Sequence, residues 1–421
     1  MTPFQIYNLI IDHSLIIVTD SRKIIPGCFF VAIVGEKFDG NDFAETALEQ
    51  GAAFALVSNQ QFSGNEKMIV VDDTLQTLQQ IAKIHRETFS IPVIVIGGSN
   101  GKTTTKELVA IVLSKKYRVH VTAGNLNNHI GVPLTLLAMP RDTQIAIIEI
   151  GANHIGEHTE LLEIIQPTYV LVTNNGQDHL EGFGSMEGVR TANGEVFVWA
   201  KKNGAKIFVN KYIPDLVADS DGGDVILYPE KTYQSQSTEF AGCLYDGVAI
   251  TSQLFGSLNE NNILAAIAIG EFFRVPIDNI ADAIQSYEPN LKRSQVIKKA
   301  DHIIIMDCYN ANPSSMELAL SDLYNTYPDK KKIVVIGDMF EMGDESPKYH
   351  KELLELVQLK QKQSDSIICV GRKMNEWNNQ FPFHFFENTE TAKEFLNTLD
   401  KTDTVIFLKA SRGIQLENIL G

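Results

Sequence analysis

Short apolar runs separated by amphipathic stretches recur along most of the chain. "IPVIVIGG", "QIAIIEIG", "YVLVTNN" and "AKIFVN" read as buried strands. Between and after them, "TTKELVAIVLSKK", "GEHTELLEIIQ" and "NNILAAIAIGEFF" read as helices. Such alternation with short connections predicts a mainly parallel sheet covered on both faces. A second series, "HIIIMDCYN", "KKIVVIGDM", "SIICVG" and "TVIFLKAS", starts near Leu291 and predicts a second open α/β sheet. Ahead of both, "CFFVAIVG" and "AAFALVSN" look like strands, and "GNDFAETALEQGA" looks like a helix ending at Gly51. "DTLQTLQQIAKIHRETF" is a helix pattern, apolar at Leu75, Leu78, Ile81, Ala82 and Ile84, with an N-cap offered at Asp73-Thr74. Residues 215–257, with "DSDGGD" and "YQSQSTEF", are more polar and read as an antiparallel excursion or a loop-rich insert. The expected fold is α/β in three domains: a small N-terminal α/β unit over residues 1–88, a central parallel-sheet domain over 89–289, and a C-terminal Rossmann-like domain over 290–421.

Composition narrows the function. The chain has 421 residues, 44% hydrophobic and 21% charged, an ordinary globular balance. A net charge of -16 argues against a general nucleic-acid binder, so any anionic ligand needs a local positive site. Cys28, Cys243, Cys308 and Cys369 are far apart in sequence, which suggests reduced thiols rather than a metal site or a disulfide framework. "MTPFQIYNLIIDHS" lacks the basic start of a signal peptide, and no apolar run approaches the roughly 20 residues that span a bilayer. The expectation is a cytoplasmic protein with no membrane insertion.

One stretch carries chemistry. "IGGSNGKTTTKE" follows a strand pattern and opens a helix pattern, the context of a phosphate-binding loop. The usual P-loop is G-x-x-x-x-G-K-[ST]; here its first glycine falls at Ile96, and the glycines are Gly97, Gly98 and Gly101. A shortened loop still turns backbone N–H groups and a helix N-terminus toward an anion. Gly98, Ser99, Asn100, Gly101, Lys102, Thr103 and Thr104 would hold the phosphates, with Lys102 reaching the β- and γ-phosphates and the Thr103 hydroxyl on magnesium. The competing reading is a glycine-rich turn that binds nothing.

The short loop "GSNGKTTT" resembles that of the Mur ligase superfamily, ATP-dependent amide-forming enzymes of peptidoglycan assembly. "NLNNHIGVPLTLL", "EIGANHIGEHTELLEIIQP" and "HLEGFGSMEGV" resemble its central domain, and "DCYNANPSSMELAL", "VIGDMFEMGDES" and "LKASRG" its C-terminal domain. "TDSRKIIPGCFFVAIVGEKFDGNDF" resembles the N-terminal domain of the branch that joins D-alanyl-D-alanine to UDP-N-acetylmuramoyl-tripeptide, and "YNANPSSM" is the most branch-specific piece. The resemblance implies ATP and Mg2+ as cofactors, small-molecule substrates only, a monomer, and an acyl-phosphate route.

The resemblance also implies roles. Glu149, ending a strand, becomes a magnesium ligand with Thr103, and His179 holds a second magnesium. Asn127 and Asn128 would orient substrate or phosphate; read alone, they are turn formers. Asn259 and Asn262 match adenine-side asparagines, with Leu258 where the family often has histidine, and either asparagine reads equally as a helix cap. Arg293 would carry charge to the γ-phosphate, and Asp307 would accept from the ribose hydroxyls. Tyr309, Asn310, Asn312, Lys409 and Arg412 complete the C-terminal substrate group, and Ser21 and Arg22 hold the uridine diphosphate end. Ligands drawn from two domains predict a hinge near residues 288–292 and closure during turnover. Two rivals remain: the neighbouring branch that adds the third amino acid, and a non-catalytic nucleotide-binding scaffold.

One departure stands out. The resemblance places a lysine at Asn193, which in several members is carbamylated and helps hold the second magnesium. Asparagine carries no charge and takes up no carbon dioxide. Asp178 stands where the family usually has a small apolar residue, and two readings are open: it restores a negative charge at or near the metal, directly or through water, or it is a solvated loop acid and the second magnesium binds less well. Neighbouring side chains on an extended segment point apart, so Asp178 can act there only if a turn redirects it.

Overall fold

The computed structural model describes residues 1–236, 238–289 and 293–420. The expected hinge at 288–292 therefore falls largely outside the described residues, which omit 290–292. By internal contacts the chain forms two compact units. One comprises Met1–Val95, Arg118–Ala152 and Gly156–Tyr169; the other comprises Ile96–Tyr117, Asn153–Ile155 and Val170–Gly421.

In the first unit, strands Ile17–Val18, Phe29–Val31, Phe54–Val57 and Met68–Val70 form a parallel sheet in that order. Phe29, Val31, Leu56, Leu78 and Ile81 are buried together on one face of it. The helix Thr74–Glu87 starts as its sequence predicts, with the Asp73 carboxylate accepting from the Gln76 N–H at 2.9 Å. It packs against the helices Gly131–Leu137 and Glu157–Ile165 of the same unit. Arg86 is buried at its far end, where it donates to the carbonyls of Ile165 at 2.8 Å, Phe89 at 2.9 Å and Gln166 at 3.0 Å. These bonds answer carbonyls that a helix C-terminus leaves unpaired.

In the first unit Val119–Val121 pairs parallel with Ile145–Glu149, and in the second Lys206–Asn210 pairs parallel with Asp224–Tyr228; the phosphate loop follows the strand Val93–Gly97. Val93–Gly97 and Ile145–Glu149 are buried along their whole length, as continuous apolar runs demand. The polar stretch 215–257 is more regular than its composition indicates. It holds a helix Pro214–Asp219 and the parallel edge strand Asp224–Tyr228, then three antiparallel strands, Tyr233–Ser235, Gly242–Tyr245 and Val248–Thr251. The edge strand is easily missed, because it leaves Leu227 exposed and follows the turn-rich "DSDGGD".

The C-terminal part of the second unit is a six-stranded sheet ordered Gln295–Lys298, His302–Asp307, Thr404–Lys409, Lys331–Gly337, Ser366–Val370, His384–Phe386. The first strand pairs antiparallel and the others parallel. Ile304, Ile333, Ile368, Ile406 and Leu408 lie in its core. Asp307 and Lys409 end adjacent strands in register, at the carboxyl edge where open α/β sheets bind ligands.

Candidate active site

The loop after Val93–Gly97 takes its shape from glycine. Gly98 has φ +111° and Gly101 has φ +82°, and Gly101 caps the helix Lys102–Ser114. Both angles lie where a side chain is strained. Space forbids a side chain as well. A Cβ on Gly98 would sit 2.4 Å from Thr173 Oγ1, and one on Gly101 would sit 2.5 Å from Asn262 Oδ1. The shortened loop is thus a specific, close-packed turn.

The segment after strand Tyr169–Val172 braces this turn. The Ser99 N–H donates to the Asn174 carbonyl at 3.0 Å, and the Asn100 N–H donates to Asn174 Oδ1 at 3.1 Å. The Asn100 carbonyl accepts from Thr173 Oγ1 at 2.7 Å and from Asn174 Nδ2 at 2.8 Å. Ser99 Oγ donates to the Gly176 carbonyl at 3.3 Å. The amides of Ser99 and Asn100 are therefore engaged with protein. The helix that follows starts at Lys102, and its first turn is the positive end of its dipole. Thr103 and Thr104 are buried in that turn.

Lys102 folds back over the turn. Its Nζ donates to the Gly98 carbonyl at 2.5 Å and the Ser99 carbonyl at 3.0 Å, and lies 3.9 Å from Asp178 Oδ2. Asp178 is therefore turned toward the lysine. Asn193, in the helix Met186–Asn203, is buried and donates to Asn175 Oδ1 at 2.9 Å and Ser99 Oγ at 3.4 Å. It serves the loop as a neutral brace.

The C-terminal sheet supplies a second set of contacts within the same unit. Asn312 caps the helix Pro313–Thr326 with its Oδ1, and its Nδ2 donates to Asn100 Oδ1 at 2.8 Å. Asn100 Nδ2 donates to Ser314 Oγ at 3.3 Å, and the same hydroxyl accepts from the Gln177 N–H at 3.3 Å. His179 has φ +48° and Glu341 has φ +64°, and His179 Nδ1 lies 2.8 Å from Glu341 Oε2. The Glu181 N–H adds a bond to the Glu341 carbonyl at 3.0 Å. The imidazole hydrogen bond, helped by the charge of Lys102, holds the Glu341 carboxyl below the usual carboxylate range against the opposing effect of burial. A carboxylate on Nδ1 keeps the proton there and leaves Nε2 as the acceptor, the form in which histidine binds metal.

The remaining residues expected from sequence fall in several places. Arg293 stacks on Tyr309, its guanidinium 3.5 Å from the ring centroid, and Arg412 lies 5.3 Å from the same ring. The Arg293 Nε is buried with no hydrogen-bond partner among the described residues. Asp307 and Lys409 pair with each other at 2.5 Å, and Lys409 also donates to the Asn310 carbonyl at 3.1 Å. Asn259 and Asn262 are buried in the helix Leu258–Phe272. Asn262 Oδ1 accepts from Thr105 Oγ1 at 2.9 Å and its Nδ2 donates to Asn259 at 2.9 Å, so the pair supports the phosphate-loop helix. In the first unit Asn127 donates to Glu149 Oε1 at 2.8 Å, while Asn128 accepts from the Gly131 N–H at 2.9 Å as a turn former does. Glu149 is buried at its strand end. Ser21 opens a short 3-10 turn, and Arg22, largely exposed, pairs with Asp20 at 2.8 Å. Sequence reading missed Thr173, Asn174, Ser314 and Glu341. Glu341 sits in "VIGDMFEMGDES", a stretch already singled out, but its contact with His179 has no sequence signal.

Magnesium suits this donor set. Among the described residues no three His, Cys, Asp or Glu side chains gather into a ready-made cage. Magnesium seldom needs one; it keeps waters and binds through one or two carboxylates plus phosphates. Asp178 Oδ1 is buried with no hydrogen-bond partner, an oxygen of the right hardness beside the loop.

Residues 96–270 match the Mur ligase middle domain, 292–412 the Mur ligase glutamate ligase domain, and 15–86 the Mur ligase family catalytic domain. A UDP-N-acetylmuramoyl-tripeptide–D-alanyl-D-alanine ligase of Bacillus subtilis is 34% identical, covering 98% of this chain and 93% of that protein. The chain belongs to the Mur ligase family. The Escherichia coli ligase of the same name is 32% identical over 96% of this chain and 92% of its own length. The crystal structure of MurF from Acinetobacter baumannii superposes with a TM-score of 0.84 at 28% identity, covering 96% of this chain and 92% of that one. MurF ligase from Thermotoga maritima, solved in complex with ADP, gives 0.83 at 26% identity and covers 96% of each. As a Mur ligase this chain is an enzyme of α/β architecture built from the family's three domains. No helix among the described residues is long and apolar enough to cross a membrane.

Proposed function

We propose that this ligase joins D-alanyl-D-alanine to UDP-N-acetylmuramoyl-tripeptide with ATP and Mg2+. The observation that carries the reading is that the likeness to ligases of that substrate runs through nearly the whole chain rather than the nucleotide domain alone. A carboxylate is a poor electrophile. Transfer of the γ-phosphoryl group onto the tripeptide carboxylate gives an acyl phosphate. The amine of D-alanyl-D-alanine then attacks the acyl carbon; the C–N bond forms, the C–O bond to phosphate breaks, and the amine proton leaves to solvent. Such transfer needs positioning and neutralised charge above all.

The residues divide those tasks. The helix turn at Lys102–Thr104 and the Lys102 ammonium receive the phosphates. Thr103 and Glu149 would hold one Mg2+ and His179 a second, and the metal would supply charge neutralisation at the transferring phosphoryl group. Arg293, held against Tyr309, brings a further cation, and Asp307 takes the ribose. Asn127 and Asn128 border the substrate, and Asn259 and Asn262 the adenine side. Tyr309, Asn310, Asn312, Lys409 and Arg412 face the incoming dipeptide, while Ser21 and Arg22 take the uridine diphosphate. In this division residues 1–88 bind the nucleotide-linked substrate, 89–289 bind ATP and 290–421 close the site. The enzyme works as a cytoplasmic monomer on small molecules, with no nucleic-acid partner. The test is isotopic. With both tripeptide carboxyl oxygens labelled with oxygen-18, the released phosphate should carry one label. Unlabelled phosphate alongside amide product would exclude the acyl-phosphate route.

A further inference from the structure

Asp178 has a role that the reading above leaves open. It stands one residue before His179, on the segment that braces the phosphate loop. Its side chain is 7% exposed and its Oδ2 lies 3.9 Å from Lys102 Nζ. Its other oxygen is buried with no hydrogen-bond partner among the described residues. The backbone explains how a residue next to His179 turns inward: the Asp178 N–H closes a tight turn onto the Gly176 carbonyl at 3.0 Å, and His179 takes a left-handed φ of +48°. The two side chains therefore point apart, His179 to Glu341 and Asp178 to Lys102.

We infer that Asp178 is a positioning residue that makes nucleotide binding depend on a divalent cation. The inference rests on the nucleotide reading of this loop. With no nucleotide bound, the buried carboxylate is the counter-charge of Lys102 and keeps its ammonium on the loop carbonyls. A polyphosphate arriving at Lys102 meets that carboxylate as a like charge in a poorly solvated place, which disfavours it. A divalent cation reverses the sign of the contact, because the uncommitted oxygen gives it, directly or through a bound water, a second anionic partner beside the phosphates. Metal and nucleotide then bind with positive coupling, and the coupling is reciprocal. Asn193 cannot supply this charge, since it is neutral and its amide is occupied by Asn175 and Ser99.

The experiment is calorimetric titration of ADP into the full chain, with Mg2+ and with EDTA, for the wild type, Asp178→Asn and Asp178→Ser. The wild type should bind ADP more tightly with Mg2+, by a factor within the roughly 5–150-fold range of coupled sites. Both variants should bind ADP more tightly than wild type in EDTA and show a Mg2+ enhancement that falls toward onefold. Asp178→Glu should restore part of it. AMP, which lacks the β-phosphate, should bind all four proteins alike. A structural role alone would weaken ADP under both conditions and leave the ratio intact, and that result overturns the inference. So does a wild type that binds ADP equally with and without Mg2+, a measurement that needs no variant to fold. Absence of ADP binding to wild type under any condition would overturn the nucleotide reading as well, whereas ADP binding with an unchanged ratio overturns only the role of Asp178.

Discussion

Lys102→Ala should leave a folded protein whose turnover is lower by about 10²–10³-fold. The lysine's hydrogen bonds are to two carbonyls of its own loop, at 2.5 and 3.0 Å, and the cost to the fold is the counter-charge that the buried Asp178 carboxylate loses. Its charge matters to the reaction, because negative charge on the transferring phosphoryl oxygens is met by groups already in place and not by water that must reorganise. The loss should fall on kcat more than on KM for the tripeptide nucleotide, which contacts other residues. Steady-state rates with each substrate varied in turn check this. A variant that keeps more than about a tenth of the wild-type rate would contradict the role given to Lys102, since a preorganised charge of this kind is worth more than that.

Gly98→Ala should cost the loop itself. Alanine at φ +111° is strained, and its Cβ would meet Thr173 Oγ1 at 2.4 Å and the Thr173 backbone nitrogen at 2.7 Å. The side chain can rotate aside; the backbone nitrogen cannot. Strain of about 1–3 kcal/mol and overpacking of about 1–3 kcal/mol together give roughly 2–6 kcal/mol against the loop's present shape. If that cost is released by moving the loop away from Asn174, ADP affinity should fall by at least about thirtyfold, the equivalent of the lower bound. Calorimetry of ADP binding beside thermal unfolding checks both routes. Native ADP affinity together with a native melting temperature would show that the loop relaxes at no cost and that its close packing is not required.

The sequence made the regular layers legible for a physical reason. "IPVIVIGG", "KKIVVIGDM" and "TVIFLKAS" are apolar throughout because both faces are covered, and each forms its strand. Short edge strands were harder. Ile17–Val18, Val119–Val121 and Gln295–Lys298 bury little, so their patterns are weak. The phosphate loop was legible because glycines, lysine and threonines sit together in the chain. Its bracing was not. Asn100 meets Asn312, 212 positions away, and Lys102 meets Asp178 across the loop. Such pairings follow from the tertiary fold and leave no periodicity behind. Several asparagines also changed character. Asn262 and Asn128, which their motifs put beside a ligand, also hold the protein together, with bonds to Thr105 and to the Gly131 amide. A polar residue near a site in sequence reports only that it needs a partner; which protein group serves as one follows from the tertiary fold.

The most direct measurement is phosphate release by the purified full chain, supplied with ATP, Mg2+, UDP-N-acetylmuramoyl-tripeptide and D-alanyl-D-alanine, and repeated with each component left out. The account predicts release only when all are present, one phosphate for each amide formed. Release from a UDP-N-acetylmuramoyl-dipeptide and a single amino acid in place of the tripeptide and D-alanyl-D-alanine would move the chain to the branch that adds the third residue. ADP binding with no release in any combination would contradict the account outright.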